Sequence, residues 1–155
     1  MTAGLGTDAF ILASYGHDVT MLERSKTVYL LVKDALKRAR QDAELKPVVA
    51  RLTLHHWDST RPFLPAIGFD AALVDPMFDE KKKSALPPGN MQMLQAFLGR
   101  GAELQPFLTA AQELGIRRTI VKRPRLDRAP AKNAVRPVYQ LTGRSSRLDV
   151  FFNQV

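Results

Sequence analysis
The spacing of apolar and polar positions changes several times along the chain, and each change predicts an element. Residues 7–15 are mostly apolar, follow Gly6 and close at Gly16, as expected of a short helix. Residues 17–23 alternate around Val19, Met21 and Leu22, which predicts a strand ending at Glu23. Ser25 is suited to cap a long helix over 26–44, where Val28, Leu31, Val32, Ala35, Leu36 and Ala39 recur at three-to-four spacing. Pro47 breaks that pattern. Residues 51–57 predict the next strand, and the apolar run within 69–75 a buried one. Pro76 stops it, because proline cannot continue a central ladder.

Beyond Pro76 the pattern predicts a charged loop over 77–89, helices over 90–98 and 103–114, and strands over 116–122, 135–142 and 148–152. Strands alternating with helices, then a closing pair of strands, argue for an α/β fold with a largely parallel central sheet. The 155 residues favour one domain over 1–155. Pro124, Arg125, Arg128, Pro130, Lys132 and Arg136 make residues 124–136 the candidate for a mobile basic loop.

Composition narrows the partners. Twenty-three Lys and Arg stand against fifteen Asp and Glu, a formal charge of +8, which favours a polyanion and nucleic acid first. The absence of cysteine excludes disulfides, cysteine nucleophiles and thiolate metal sites. His17, His55 and His56 lack metal-ligand spacing to a third ligand, so no metal is expected. No apolar run reaches the roughly twenty residues of a membrane span, and no signal peptide is legible. A soluble cytoplasmic protein is the expectation, with oligomeric state undetermined.

Five constellations carry candidate chemistry. Gly4 and Gly6, with Thr7 and Asp8, form a turn at a helix start, where backbone can approach an anionic ligand. The turn falls short of a full G-x-G-x-x-G, and a plain tight turn reads equally well. Glu23, at a strand end, could accept both hydroxyls of a ribose or simply pair with Arg24. Asp58 and Ser59 follow the next strand where an adenine would lie, or form a helix cap. Asp75-Pro76-Met77-Phe78 is the sharpest. A carboxylate and a proline-fixed carbonyl can accept both hydrogens of an exocyclic amine, and Phe78 can stack on its base. A structural strand-ending turn is the rival. The fifth is the excess of Arg and Lys between Arg117 and Arg147, suited to phosphate contact.

Taken in order, Thr2-Ala3-Gly4-Leu5-Gly6, Met21-Leu22-Glu23-Arg24-Ser25, Asp75-Pro76-Met77-Phe78, Lys82-Lys83-Ser84-Ala85-Leu86, Val121-Lys122-Arg123-Pro124 and Arg147-Leu148-Asp149-Val150-Phe151 form a set. Over nearly the whole chain this set resembles the ribosomal RNA small subunit methyltransferase J family. The resemblance implies a Rossmann-like class I S-adenosylmethionine-dependent methyltransferase fold, mostly parallel with a closing antiparallel strand, whose first strand is truncated here together with the N-terminal region. It implies methylation of the exocyclic N2 of a guanosine in small-subunit (16S) ribosomal RNA, free or in the 30S particle, with S-adenosylmethionine as cofactor and no metal.

The resemblance also assigns residues. Thr7, Asp8, Glu23, Arg24, Asp58, Ser59 and Asp75 would line the cofactor site, joined by Gly4 and Gly6. Thr7 stands where relatives often carry Arg, and Asp58 where a small polar residue is expected. Asp75, Pro76 and Phe78 would hold the acceptor base. Lys82, Lys83, Lys122 and Arg123 would meet RNA phosphates, with Arg125 and Arg128 of the basic segment. The rival functions are a non-catalytic RNA-binding remnant and a methyltransferase for another planar amine, in a DNA base or protein amide. A nicotinamide-dependent oxidoreductase is the weakest, for want of a full glycine motif and a proton donor.

Overall fold
The computed structural model describes residues 2–61, 63, 68–75, 103–125 and 135–153. Helix α1 (Thr7–Ser14) begins at Gly6, whose φ of 82° lies in the left-handed region. No side chain caps it. Backbone closes the entry instead: Gly6 N donates to the Ala3 carbonyl at 2.9 Å, and Phe10 N to the Gly6 carbonyl at 2.9 Å. Strand β1 (Val19–Glu23) follows, then α2 (Lys26–Ala39), capped by Ser25 Oγ accepting from Val28 N at 3.4 Å.

Helix α2 is shorter and its buried stripe narrower than the apolar spacing predicts. Val28, Val32 and Leu36 are buried, whereas Leu31 and Ala35 are exposed. The early end has a local cause. Asp42 Oδ1 accepts from Glu44 N at 2.8 Å and Leu45 N at 3.1 Å, a side-chain turn that competes with the helix ladder. Pro47 then falls in the first turn of a new helix, α3 (Lys46–Val49), where a missing N–H costs nothing.

Strand β2 (Leu52–His56) runs parallel to β1, from Val19 against Leu52 to Glu23 against His56. Strand β3 (Ala71–Val74) runs parallel to β4 (Arg118–Pro124), which continues two residues beyond the expected 122. Strand β6 (Ser146–Phe152) is antiparallel to both of its neighbours, β4 and β5 (Tyr139–Thr142), and the latter is shorter than the expected 135–142. The strands form two sheets, β1-β2 and β3-β4-β6-β5. This is the expected α/β fold with one antiparallel strand closing a parallel sheet. Among the described residues no strand precedes α1. Thr2 and Ala3 link the two sheets: Ala3 N donates to the Leu22 carbonyl at 3.0 Å, and Asp75 N to Thr2 Oγ at 2.6 Å.

One core joins Ala9 and Ala13 of α1 and the α2 stripe to Met21 and Leu52; the alanines let the helix lie close. A second joins Val74, Val121 and Phe151 to Phe107 and Leu108 of α4 (Gln105–Glu113), the helix expected over 103–114. The helix expected over 90–98 and the loop over 77–89 lie outside the described residues. Gly6→Ala is expected to destabilise the fold by about 1–2 kcal/mol, the strain of a left-handed residue with a side chain. The added Cβ would meet only ordinary contacts, Met21 Sδ and Val32 Cγ1 at 3.8 Å each, so backbone strain is the whole effect. Denaturant unfolding of the variant measures it.

Candidate active site
The carboxyl ends of β1, β2 and β3 carry the acids expected from the sequence, and an open sheet binds its ligands at such ends. Glu23, 5% exposed, turns its carboxylate back onto backbone. Oε2 accepts from Gly4 N at 3.1 Å and Oε1 from Ser25 N at 2.7 Å. One side chain thereby fixes the glycine turn before α1 and the entry to α2. An ionised carboxylate offers about four acceptor positions, so this clasp leaves capacity for ligand hydroxyls.

Next to it, at the ends of β1 and β2, Arg24, His56, Trp57, Asp58 and Arg61 line an open cleft of about 360 Å³. Trp57 N donates to the Glu23 carbonyl at 3.0 Å, and the ring N–H of Trp57 donates to the Arg61 carbonyl at 3.3 Å. Asp58 Oδ1 accepts from Thr60 N at 3.0 Å and from Thr60 Oγ at 2.8 Å, a local turn and not the helix cap that was the plainer expectation. Burial opposes the Asp58 charge. The two Thr60 bonds and the Arg24 and Arg61 guanidiniums outweigh it and hold the carboxyl below the usual aspartate range. Ser59 is buried beside Asp58 and is not among the cleft-lining side chains.

The third strand end is tied to the glycine turn by a lysine. Parallel register sets Val74 against Val121, so Asp75 and Lys122 follow side by side. Lys122 Nζ lies 3.2 Å from Asp75 Oδ2, and 2.7 and 3.0 Å from the two carboxylate oxygens of Asp8 in the first turn of α1. Burial disfavours the Lys122 charge, but the Asp8 bonds and the Asp75 charge more than compensate, and its pKa is raised. The Asp75 pKa is also raised. Desolvation is the main cause, Lys122 pulls the other way, and Asp8 adds to the rise.

Two of the expected phosphate ligands, Lys122 and Arg123, face acids and not an open basic surface. Lys122 is held by two acids, and only about a third of its side chain is exposed. Arg123 Nε lies 3.1 Å from Asp149, with its side chain 14% exposed. Arg125 is exposed. Pro76, Phe78, Lys82, Lys83 and Arg128 lie outside the described residues. Thr7, at the first position of α1, is exposed. Sequence reasoning missed Trp57, His56 and Arg61 as cleft walls. A single tryptophan directly after a strand and before a candidate acid was the available signal. Among the described residues no group of three or more His, Asp or Glu side chains could hold a metal ion, and no helix is long and apolar enough to cross a membrane.

A glycine turn clasped by an acid at the next strand end, beside a cleft at the carboxyl edge of a parallel sheet, is where an open α/β sheet receives a nucleotide-type ligand. The family described as "Putative SAM-dependent methyltransferase" matches residues 1–153. A SAM-dependent methyltransferase from Neisseria gonorrhoeae superposes with a TM-score of 0.68 at 32% identity, over 97% of this chain and 62% of that one. A glycopeptide N-methyltransferase complexed with S-adenosylmethionine shares the fold, with a TM-score of 0.53 at 19% identity, over 97% of this chain and 56% of that one.

Ribosomal RNA small subunit methyltransferase J of Rhodopseudomonas palustris (strain BisB5) is 39% identical over 153 residues, 98% of this chain and 69% of the relative. That of Ectopseudomonas mendocina (strain ymp) is 38% identical over 159 residues, 97% of this chain and 58% of the relative. The chain belongs to the ribosomal RNA small subunit methyltransferase J family, and it spans a little over half the length of several relatives it matches.

The clasp makes Glu23 testable on two axes. Glu23→Gln puts an amide N–H₂ where one carboxylate oxygen stood, against a backbone N–H that it cannot accept. Loss of about 1–3 kcal/mol of folding stability is expected from that buried mismatch. If the same carboxylate accepts the ribose hydroxyls, as expected from the sequence, affinity for S-adenosylmethionine should also fall roughly ten- to hundredfold. Thermal unfolding and calorimetry on the same sample separate the two. Full stability with lost affinity would reduce Glu23 to a ligand contact alone.

Proposed function
We propose that this chain transfers a methyl group from S-adenosylmethionine to the exocyclic N2 of a guanosine in small-subunit ribosomal RNA. Relatives that share 36–39% identity with it carry the name ribosomal RNA small subunit methyltransferase J. The observation that carries the reading is the one ammonium that joins Asp8, beside the glycine turn, to Asp75, at the end of β3. It brings a candidate acceptor-binding carboxylate next to the candidate cofactor turn.

The side chains present suit such a cofactor. Gly4, where a Cβ would meet nothing within 4 Å, leaves open space at the turn before α1, and the Glu23 carboxylate retains lone pairs for a ribose diol. The cleft of Arg24, His56, Trp57, Asp58 and Arg61 has walls and volume for a planar base. When bound, the cofactor supplies an electrophilic methyl on a sulfonium, so alignment and exclusion of water are the main demands on the protein.

Asp75 would accept a hydrogen bond from the exocyclic amine and turn its lone pair toward the methyl group. The Pro76 carbonyl would take the second hydrogen, and Phe78 would stack on the extruded base. Lys82, Lys83, Arg125 and Arg128 would contact RNA phosphates; Arg123 is largely committed to Asp149.

Asp75→Ala should lower turnover on the order of a hundredfold or more, because misplacing a reacting group costs that much, while stability drops by about 1 kcal/mol. The assay is labelled methyl incorporation into naked ribosomal RNA, small subunits, DNA and protein. Incorporation confined to DNA or protein moves the activity to another planar amine. No S-adenosylmethionine binding by calorimetry leaves an RNA-binding protein without catalysis. For the RNA contacts, replacing Arg125 and Arg128 by Gln should flatten the log–log salt dependence of RNA binding by about 0.7–0.9 per lost contact. Cofactor affinity should stay unchanged; an unaltered slope would assign both arginines to solvated surface.

A further inference from the structure
Lys122 is the basic residue whose surroundings least resemble those of a phosphate ligand. Its three ammonium donors face three carboxylate oxygens: both of Asp8, at 2.7 and 3.0 Å, and Oδ2 of Asp75, at 3.2 Å. The three side chains come from elements far apart in sequence, α1, the end of β3 and the middle of β4. Register fixes two of them: Asp75 follows Val74 and Lys122 follows Val121 in a parallel pair, so Lys122 stands beside the strand end, on the side where α1 begins.

Without the lysine, two carboxylates would face each other across the site. Like charges at such separation cannot both stay ionised without cost. Desolvation already raises the Asp75 carboxyl pKa, Lys122 opposes that rise and Asp8 adds to it. A protonated Asp75 would present a donor where the acceptor amine needs an acceptor.

We infer that Lys122 is a positioning residue, holding Asp75 ionised and fixed in orientation against Asp8 so that the turn that receives the cofactor and the carboxylate that receives the amine keep one spacing. The inference rests on the function proposed above. It also separates Lys122 from Lys82, Lys83, Arg125 and Arg128: its charge is spent inside the site and not on RNA.

The test compares Lys122→Met and Lys122→Arg with the unaltered chain. At saturating S-adenosylmethionine and RNA, Lys122→Met should lose kcat by about tenfold or more, with KM for RNA and the salt slope of RNA binding within twofold of the original. Lys122→Arg, which keeps the charge, should recover part of the lost kcat. If Lys122→Met instead keeps its kcat and lowers the salt slope by about 0.7–0.9, Lys122 is a phosphate contact and the inference fails.

A second readout needs no substrate. The ¹³C carboxyl titration of Asp75 should move to higher pH by about one unit in Lys122→Met, and stay near the original in Lys122→Arg. Among the described residues the charged groups that act on Asp75 are Lys122 from β4 and Asp8 from α1. An unchanged midpoint in Lys122→Met overturns the inference. Should that variant not fold, Asp8→Asn tests the same link: the Asp75 midpoint should fall as the like charge is removed, and an unchanged midpoint overturns it. If the unaltered chain methylates no RNA, the proposed function fails, and the titration still decides whether Lys122 governs Asp75.

Discussion

The Glu23 carboxylate holds two chain entries at once, and the site is arranged around that clasp. It is buried at the end of β1, where its oxygens accept from Gly4 N and Ser25 N. The glycine turn before α1 is thus bound to the strand that follows the helix, and α2 is bound at its start. A buried carboxylate is tolerable only when such bonds replace its lost hydration. Here both come from backbone amides, which cannot swing away. The cleft at Trp57 and Asp58 begins where the clasp ends, since Trp57 N donates to the Glu23 carbonyl.

The same logic of satisfied burial organises the four-stranded sheet. Asp149 is 2% exposed. It accepts from Arg147 Nε at 2.7 Å, from Gln140 Nε2 at 2.7 Å and from Arg123 Nε at 3.1 Å. One carboxylate therefore ties β4, β5 and β6 together through side chains as well as through the ladder. Such a buried charge network adds little net stability over an apolar core, but it penalises any register that leaves the charges unpaired. This explains why part of a conspicuous basic segment faces inward: two of its arginines complete a buried site.

Lys122, Arg123 and Arg147 show how a basic sequence can mislead. Their charges add to the formal +8, yet Lys122 and Arg123 answer acids that arrive from other elements, and Arg147 answers Asp149 on its own strand. The charges that face outward are others, Arg125, Arg136 and Arg144 among them. Net charge is a property of the sequence, whereas which charges face outward follows from strand pairing and from where the acids fold.

Much of the fold was legible because it is written in local periodicity. Helix α2, the Ser25 cap, the strand ending at Glu23, the buried strand before Asp75 and the closing pair of strands follow from apolar spacing and from proline and glycine positions, whereas the antiparallel sense of the last strand came with the family resemblance. The candidate site acids were legible too, since acids at strand ends stand out against apolar runs. Their partners were not. Nothing local to Glu23 announces Gly4 N nineteen positions away, and nothing local to Lys122 announces Asp8 on a helix 114 residues earlier. The sequence determined the elements, the ends at which chemistry collects and the residue types gathered there. Only the tertiary structure decided which ammonium meets which carboxylate, because that pairing depends on parallel register and helix placement, which join segments distant in the chain.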